Sequence, residues 1–154
     1  MKWKIPPKIK IYEALGCIAD KRIEINEKEA KVFSSSRGKF YSIKYDGKNS
    51  IMCNDNGSYW AGYLGYPSIA FLMLKGRIKY DPTFTEALRD IKWKDVNVKF
   101  KNDYEKTEAY VLKITKERGS DTIKLKAEAN NIFEQVKMLN MHFLGEKTLP
   151  PSGY

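Results

Sequence analysis

The chain has 154 residues, 42% of them apolar and 31% charged, with a net charge of +9. That length suits one domain with a core of its own, and the composition excludes a disordered chain. Two cysteines, Cys17 and Cys53, exclude a disulfide framework and a four-thiolate zinc site, and fit a reducing, cytoplasmic setting.

The charge is uneven. Residues 1–52 carry twelve Lys or Arg against six Asp or Glu, and residues 93–154 carry eleven against nine. A basic N-terminal third attracts polyanions. Lys outnumbers Arg by 23 to 5, so a lysine-coated surface that serves solubility is the competing explanation.

Pro6-Pro7 opens a helix expected over about Lys8 to Asp20, where Ile11, Leu15 and Ile18 fall at helical spacing. Four strand-like segments follow: Arg22–Asn26, Ala30–Ser35, Phe40–Tyr45 and Ser50–Cys53. Short turn signals separate them, among them Asp46-Gly47, so they form an antiparallel meander of three to four strands. Pro67 starts a helix through Leu74 that is apolar on nearly every side and is therefore buried, packing on the meander as the centre of the core. Asp81-Pro82 starts a short helix to about Ile91. The last third predicts a hairpin of two long helices. Val96, Phe100, Tyr104, Val111 and Ile114 mark the first, which stops at Gly119; Ile123, Ala127, Ile132, Val136, Leu139 and Phe143 mark the second, which stops at Gly145. Thr148 to Tyr154 reads as an extended tail. The fold class is α+β in one domain, with an α/β part over 1–80, a helical part over 81–147 and the tail. Met1 to Pro7 lacks the apolar region of a signal peptide, and Ile69 to Leu74 is too short to span a bilayer.

The sequence offers little for catalysis. His142 is the one histidine, near the expected end of the last helix, and nothing places a nucleophile beside it. No phosphate-binding or dinucleotide-binding glycine motif is present. Cys17 reads as a core residue. Cys53, where a strand meets a glycine-rich loop, has no neighbouring charge to activate its thiol. Asn54-Asp55-Asn56-Gly57 is turn chemistry. A small enzyme using Asp55, Cys53 or Tyr59 under the loop is the least supported alternative.

The stretch from Cys53 to Pro67 is the distinctive part of the chain. It holds three glycines and four aromatics, Tyr59, Trp60, Tyr63 and Tyr66, and contains no Lys or Arg. These rings either plug the core or present a stacking platform. The pieces Lys31–Asp46, Ser50–Cys53 and Gly65–Ala70 resemble a SWIM-type zinc finger, which runs hairpin, Cys-x-Cys, loop, Cys-x-His, helix. Cys53 matches one ligand position, and Asp55, Tyr66 and Ser68 stand at the other three. The resemblance implies a metal-free relative in a class implicated in binding DNA or proteins.

The expected function is a non-catalytic binding module without metal, cofactor or membrane partner. It would contact nucleic acid through a basic β-face and the aromatic loop: Lys39, Lys44 and Lys48 on phosphates, with Tyr59, Trp60 and Tyr63 around the bases. The alternative is a protein-interaction or self-association scaffold built on the C-terminal hairpin, with a second apolar stripe of Tyr110, Leu112, Leu125, Met138 and Met141. Exposure of Trp60 decides between platform and plug.

Overall fold

A computed structural model describes residues 1–101 and 103–152. The first helix, α1 (Ile9–Ala19), is buried at nine of its eleven positions. The buried residues include Tyr12 and Glu13, whose polar atoms must find partners. Tyr12 donates to Glu108 at 2.8 Å, and Asn97 donates to Glu13 at 2.9 Å. The C-terminal helices are thereby tied to α1 by directional bonds as well as by apolar contact.

The meander forms as expected. Its strands are β1 (Ile23–Asn26), β2 (Glu29–Phe33), β3 (Phe40–Tyr45) and β4 (Ser50–Cys53), each antiparallel to the next. In β3, Tyr41, Ile43 and Tyr45 are buried and alternate with exposed Phe40, Ser42 and Lys44, the period-two signature of a sheet with one covered face. The cover is α2 (Tyr66–Leu74) together with α1. Ile69 through Met73 are all buried, as their unbroken apolar run requires. The two helices share the centre that the sequence assigned to α2 alone.

The helical third departs from expectation in three places. The segment after Asp81 forms two short 3-10 turns, Pro82–Phe84 and Glu86–Leu88, instead of one helix. Asp81 still caps, accepting from the Thr83 N–H at 3.0 Å. The first long helix is two: α3 (Trp93–Lys99) and α4 (Tyr104–Glu117). Lys101 has a left-handed φ of 49°, and the Asp103 side chain accepts from the Lys106 N–H, which makes Asp103 a new N-cap. The last helix, α5 (Thr122–Met138), stops well before Gly145. Asn140 turns left-handed at φ 52° and the chain re-enters the sheet as β5 (His142–Phe143), parallel to β4. His142 is therefore an exposed strand residue, and its N–H donates to Asn49 O at 2.8 Å.

The buried stripe of α5 is Leu125, Ala129, Ile132 and Val136, spaced by four, three and four. Ile123, expected in that stripe, is 82% exposed. Leu125 and Met141, expected in a second, unused stripe, are core residues. One core cluster runs from Trp3 to Met141 and draws on both the sheet and the helical third. Of the expected tail, Thr148–Ser152 has neither helix nor strand, and Gly153 and Tyr154 lie outside the described residues, as does Asn102. Among the described residues no helix is long and apolar enough to cross a membrane.

Trp3, in the segment that precedes α1, packs against β4 and β5. Its indole N–H donates to the buried Ile51 O at 2.9 Å, and its ring lies 3.9 Å from that of Phe143. Trp3→Phe keeps the ring contact and removes the donor, which should cost about 1–2 kcal/mol of stability. Urea unfolding checks this; an unchanged midpoint would contradict it.

Candidate functional site

The loop between β4 and α2 is pinned from beneath. Asn54 accepts from the Ser42 N–H at 2.8 Å, holding the start of the loop to β3. Asp55 then turns inward and is buried. Ser58 Oγ donates to Asp55 Oδ1 at 2.5 Å and Ser58 N–H donates to Oδ2 at 3.3 Å. This turn continues as one turn of π-helix, Gly57–Ala61, that ends at left-handed Gly62. Two glycines permit close passage. A Cβ on Gly57 would lie 2.4 Å from the Tyr63 ring, and one on Gly65 would lie 2.0 Å from Asp55 Oδ2, both inside van der Waals contact. With its ends drawn together over Asp55, the turn carries Trp60 outward. That indole is 71% exposed, set edge-on to Tyr59 at 4.7 Å.

Trp60 stands over a cleft of about 450 Å³ between α1, the β2–β3 turn, the loop and α3. Its floor is an ion pair on α1, with Lys10 Nζ at 2.7 Å from Glu13 Oε2. Burial works against the Lys10 charge, but the adjoining Glu13 carboxylate overrides it and holds the ammonium above its ordinary range. Tyr41, Tyr63 and Tyr66 also line the cleft. Burial pushes all three phenols upward, so their hydroxyls stay protonated near neutrality and can serve as donors. The Trp93 indole, buried in the same wall, has an N–H with no acceptor among the described residues. Lys39 and Lys94 stand at the rim, Lys39 lying 5.5 Å over the Tyr41 ring.

Of the six residues expected to bind, the cleft brings together Lys39, Trp60 and Tyr63. Tyr59 is half-buried behind the indole. Lys44 is on the open face of the sheet, directly across from Glu29. That face also pairs Lys31 with Glu24, so its charge is balanced locally and the sheet is not a basic platform. Lys48 lies in the β3–β4 turn, which Arg77 fastens by donating to Lys48 O and the Tyr45 hydroxyl. The six residues of β3 separate that turn from Lys39 by about 20 Å. Sequence reasoning missed Lys10, Glu13, Tyr41, Trp93 and Asn97. A signal was present for the first two: opposite charges three apart in a helix that is otherwise apolar.

Neither thiol is poised to react. Cys17 is pushed up to about 12 by burial, and Cys53 rises well above the usual thiol range through burial and the adjacent Asp55. Among the described residues no group of three or more His, Cys, Asp or Glu side chains could hold a metal ion. Residues 3–142 match the model of the family described as "Uncharacterised conserved protein UCP014422", and the chain belongs to that family. Neither the curated proteins nor the solved structures gave a match.

Burial raises the Asp55 pKa against the opposing hydrogen bonds from Ser58 and Cys53. The folded state therefore holds the Asp55 proton more tightly than the unfolded chain, whose carboxyl titrates near about 3.9. The associated stability is present below that value and is lost as pH rises through the folded pKa. Asp55→Asn abolishes this titration. The stability of the wild-type chain relative to the variant should fall between about pH 4 and neutrality. Urea unfolding of both across that range measures it; a difference independent of pH would contradict it.

Proposed function

We infer that the chain is a non-catalytic binding module that takes single-stranded nucleic acid, with a base stacked on Trp60 at the mouth of the cleft. The observation that carries this is the exposed indole. A ring of that size at 71% exposure forgoes a large apolar burial that the interior offers other aromatics of the chain. It is held there by a pinned loop, so the face it offers is preorganised. Lys39 and Lys94 supply positive charge at the rim, and the protonated phenols supply donors for base edges or sugar hydroxyls. Because the open sheet face is charge-balanced, the basic β-face contributes Lys39 alone. A single strand suits the site better than a duplex, since only an unstacked base can lie on the indole.

Binding is better supported than chemistry. Both oxygens of Asp55 accept from Ser58, and the Cys53 thiol is buried and protonated. The likeness to a SWIM-type finger with replaced ligands supports the same reading: Cys53 and Asp55, at two of the four positions, are both buried, and Asp55 is engaged by Ser58. A reducing cytoplasmic setting belongs to it too. The scaffold alternative gains less support. The exposed apolar residues of α5, Ile123 and Met138, stand about 22 Å apart along the helix and form no single patch.

Trp3 and Trp93 are buried, so a quencher that stacks at the surface reports on Trp60. Single-stranded oligonucleotide should quench the fluorescence, and Trp60→Ala should weaken binding by about 1–3 kcal/mol per base lost. Affinity should fall with salt, and Lys39→Ala should flatten the log–log slope by about 0.7. Absent quenching at low salt, or binding indifferent to salt, would overturn the proposal.

A further inference from the structure

Trp60 and Ala61 line a second depression as well as the cleft. This groove, of about 570 Å³, lies on the other side of the loop and is also bordered by Lys2, Lys4, Phe143 and Lys147. Its lysines come from both ends of the described chain. Lys2 bridges His142 of β5, and Lys4 bridges Tyr63 of the loop. The Lys4 N–H donates to Gly62 O at 3.0 Å, and Leu64 N–H donates to Lys4 O at 3.1 Å. Between them Trp3 is buried, so in this extended segment the side chains of Lys2 and Lys4 share the opposite, exposed face. They repeat every second residue, about 6–7 Å apart. Lys147 reaches across, its Nζ donating to Tyr59 O at 3.2 Å and lying 5.7 Å over the Phe143 ring. Glu146 is the one acidic residue of the lining.

The groove thus has the two features a polynucleotide track needs: a row of cations for phosphates and aromatic walls for bases. Because Trp60 and Ala61 line both depressions, the two adjoin across this turn of the loop. Resting on the function inferred above, we propose that the strand crosses Trp60 and continues into this groove, with Lys2, Lys4 and Lys147 neutralising the phosphates next to the stacked base. The ligand is then a polynucleotide of at least a few residues and not a free mononucleotide.

Fluorescence titration of the full chain with thymidine monophosphate and with oligothymidylates of increasing length tests this. Affinity should rise by about tenfold or more from the mononucleotide to a short oligomer. The triple variant Lys2→Glu, Lys4→Glu, Lys147→Glu should lose about tenfold or more for the oligomer while binding the mononucleotide within about twofold of wild type. The double variant Lys2→Ala, Lys4→Ala, which leaves the Lys147 contact intact, should show a smaller loss in the same direction and guards against misfolding of the triple. If the mononucleotide and the oligomers quench Trp60 with equal affinity, the second groove is not part of the site, and the function inferred above stands without it. If nothing quenches Trp60, both fall.

Discussion

The exposed ring of Trp60 depends on one inward-facing acid, Asp55. Asp55 is buried, which is unfavourable for an acid, and its hydrogen bonds organise the loop around it. It bonds Ser58 through both oxygens and takes the close approach of Gly65 from the far end of the loop. The loop is thereby shortened and clamped at both ends. Only then is the middle of the turn, with Trp60, driven into solvent, while Tyr63 and Tyr66 are drawn back toward α1. A single geometric device separates the exposed ring from the half-buried ones. The sequence posed plug and platform as rival fates for one set of rings; in the structure Trp60 is exposed, while Tyr63 and Tyr66 are half-buried in the cleft wall.

The sheet and the two central helices were legible because their signals are local. Alternation in β3 and the unbroken apolar run of α2 each name one conformation and one degree of burial. The Pro6-Pro7 entry and the period of Ile11, Leu15 and Ile18 did the same for α1. The helical third was less legible because its breaks rest on left-handed residues that are not glycine. Lys101 and Asn140 have positive φ and end their segments. A stripe drawn through Phe100 and Tyr104, or on to Phe143, passes over such a break without a sign. The apolar alternation of Met141 and Phe143 is a strand signal, but it is only two residues of pairing long.

The site was half legible for a different reason. Its mouth lies on one contiguous segment, so composition alone singled out Trp60 and Tyr63. Its floor is assembled from α1, β3 and α3, and contacts between distant segments leave only indirect marks. Lys10 and Glu13 were such a mark, since two charges inside a buried helix must satisfy each other or a neighbour. The assumption that failed was that basic residues near in sequence share a face. Lys44 and Lys48 are close to Lys39 along the chain, yet the alternation of β3 and its length take them elsewhere. The positive charge around Trp60 comes instead from Lys39 and Lys94 at the cleft rim and from Lys2, Lys4 and Lys147 beyond it.

The Trp60 indole is the proposed point of contact with a nucleic-acid partner. Each of the three tryptophans carries one indole N–H, and only that of Trp60 belongs to an exposed ring. A heteronuclear NMR titration with single-stranded oligonucleotide resolves the three signals in one spectrum. The Trp60 resonance should shift and saturate, together with the backbone amides of Gly57 to Gly62, while that of Trp3, outside the cleft, stays in place. Saturating shifts elsewhere with a stationary Trp60 signal, or no shifts at low salt, would contradict the claim.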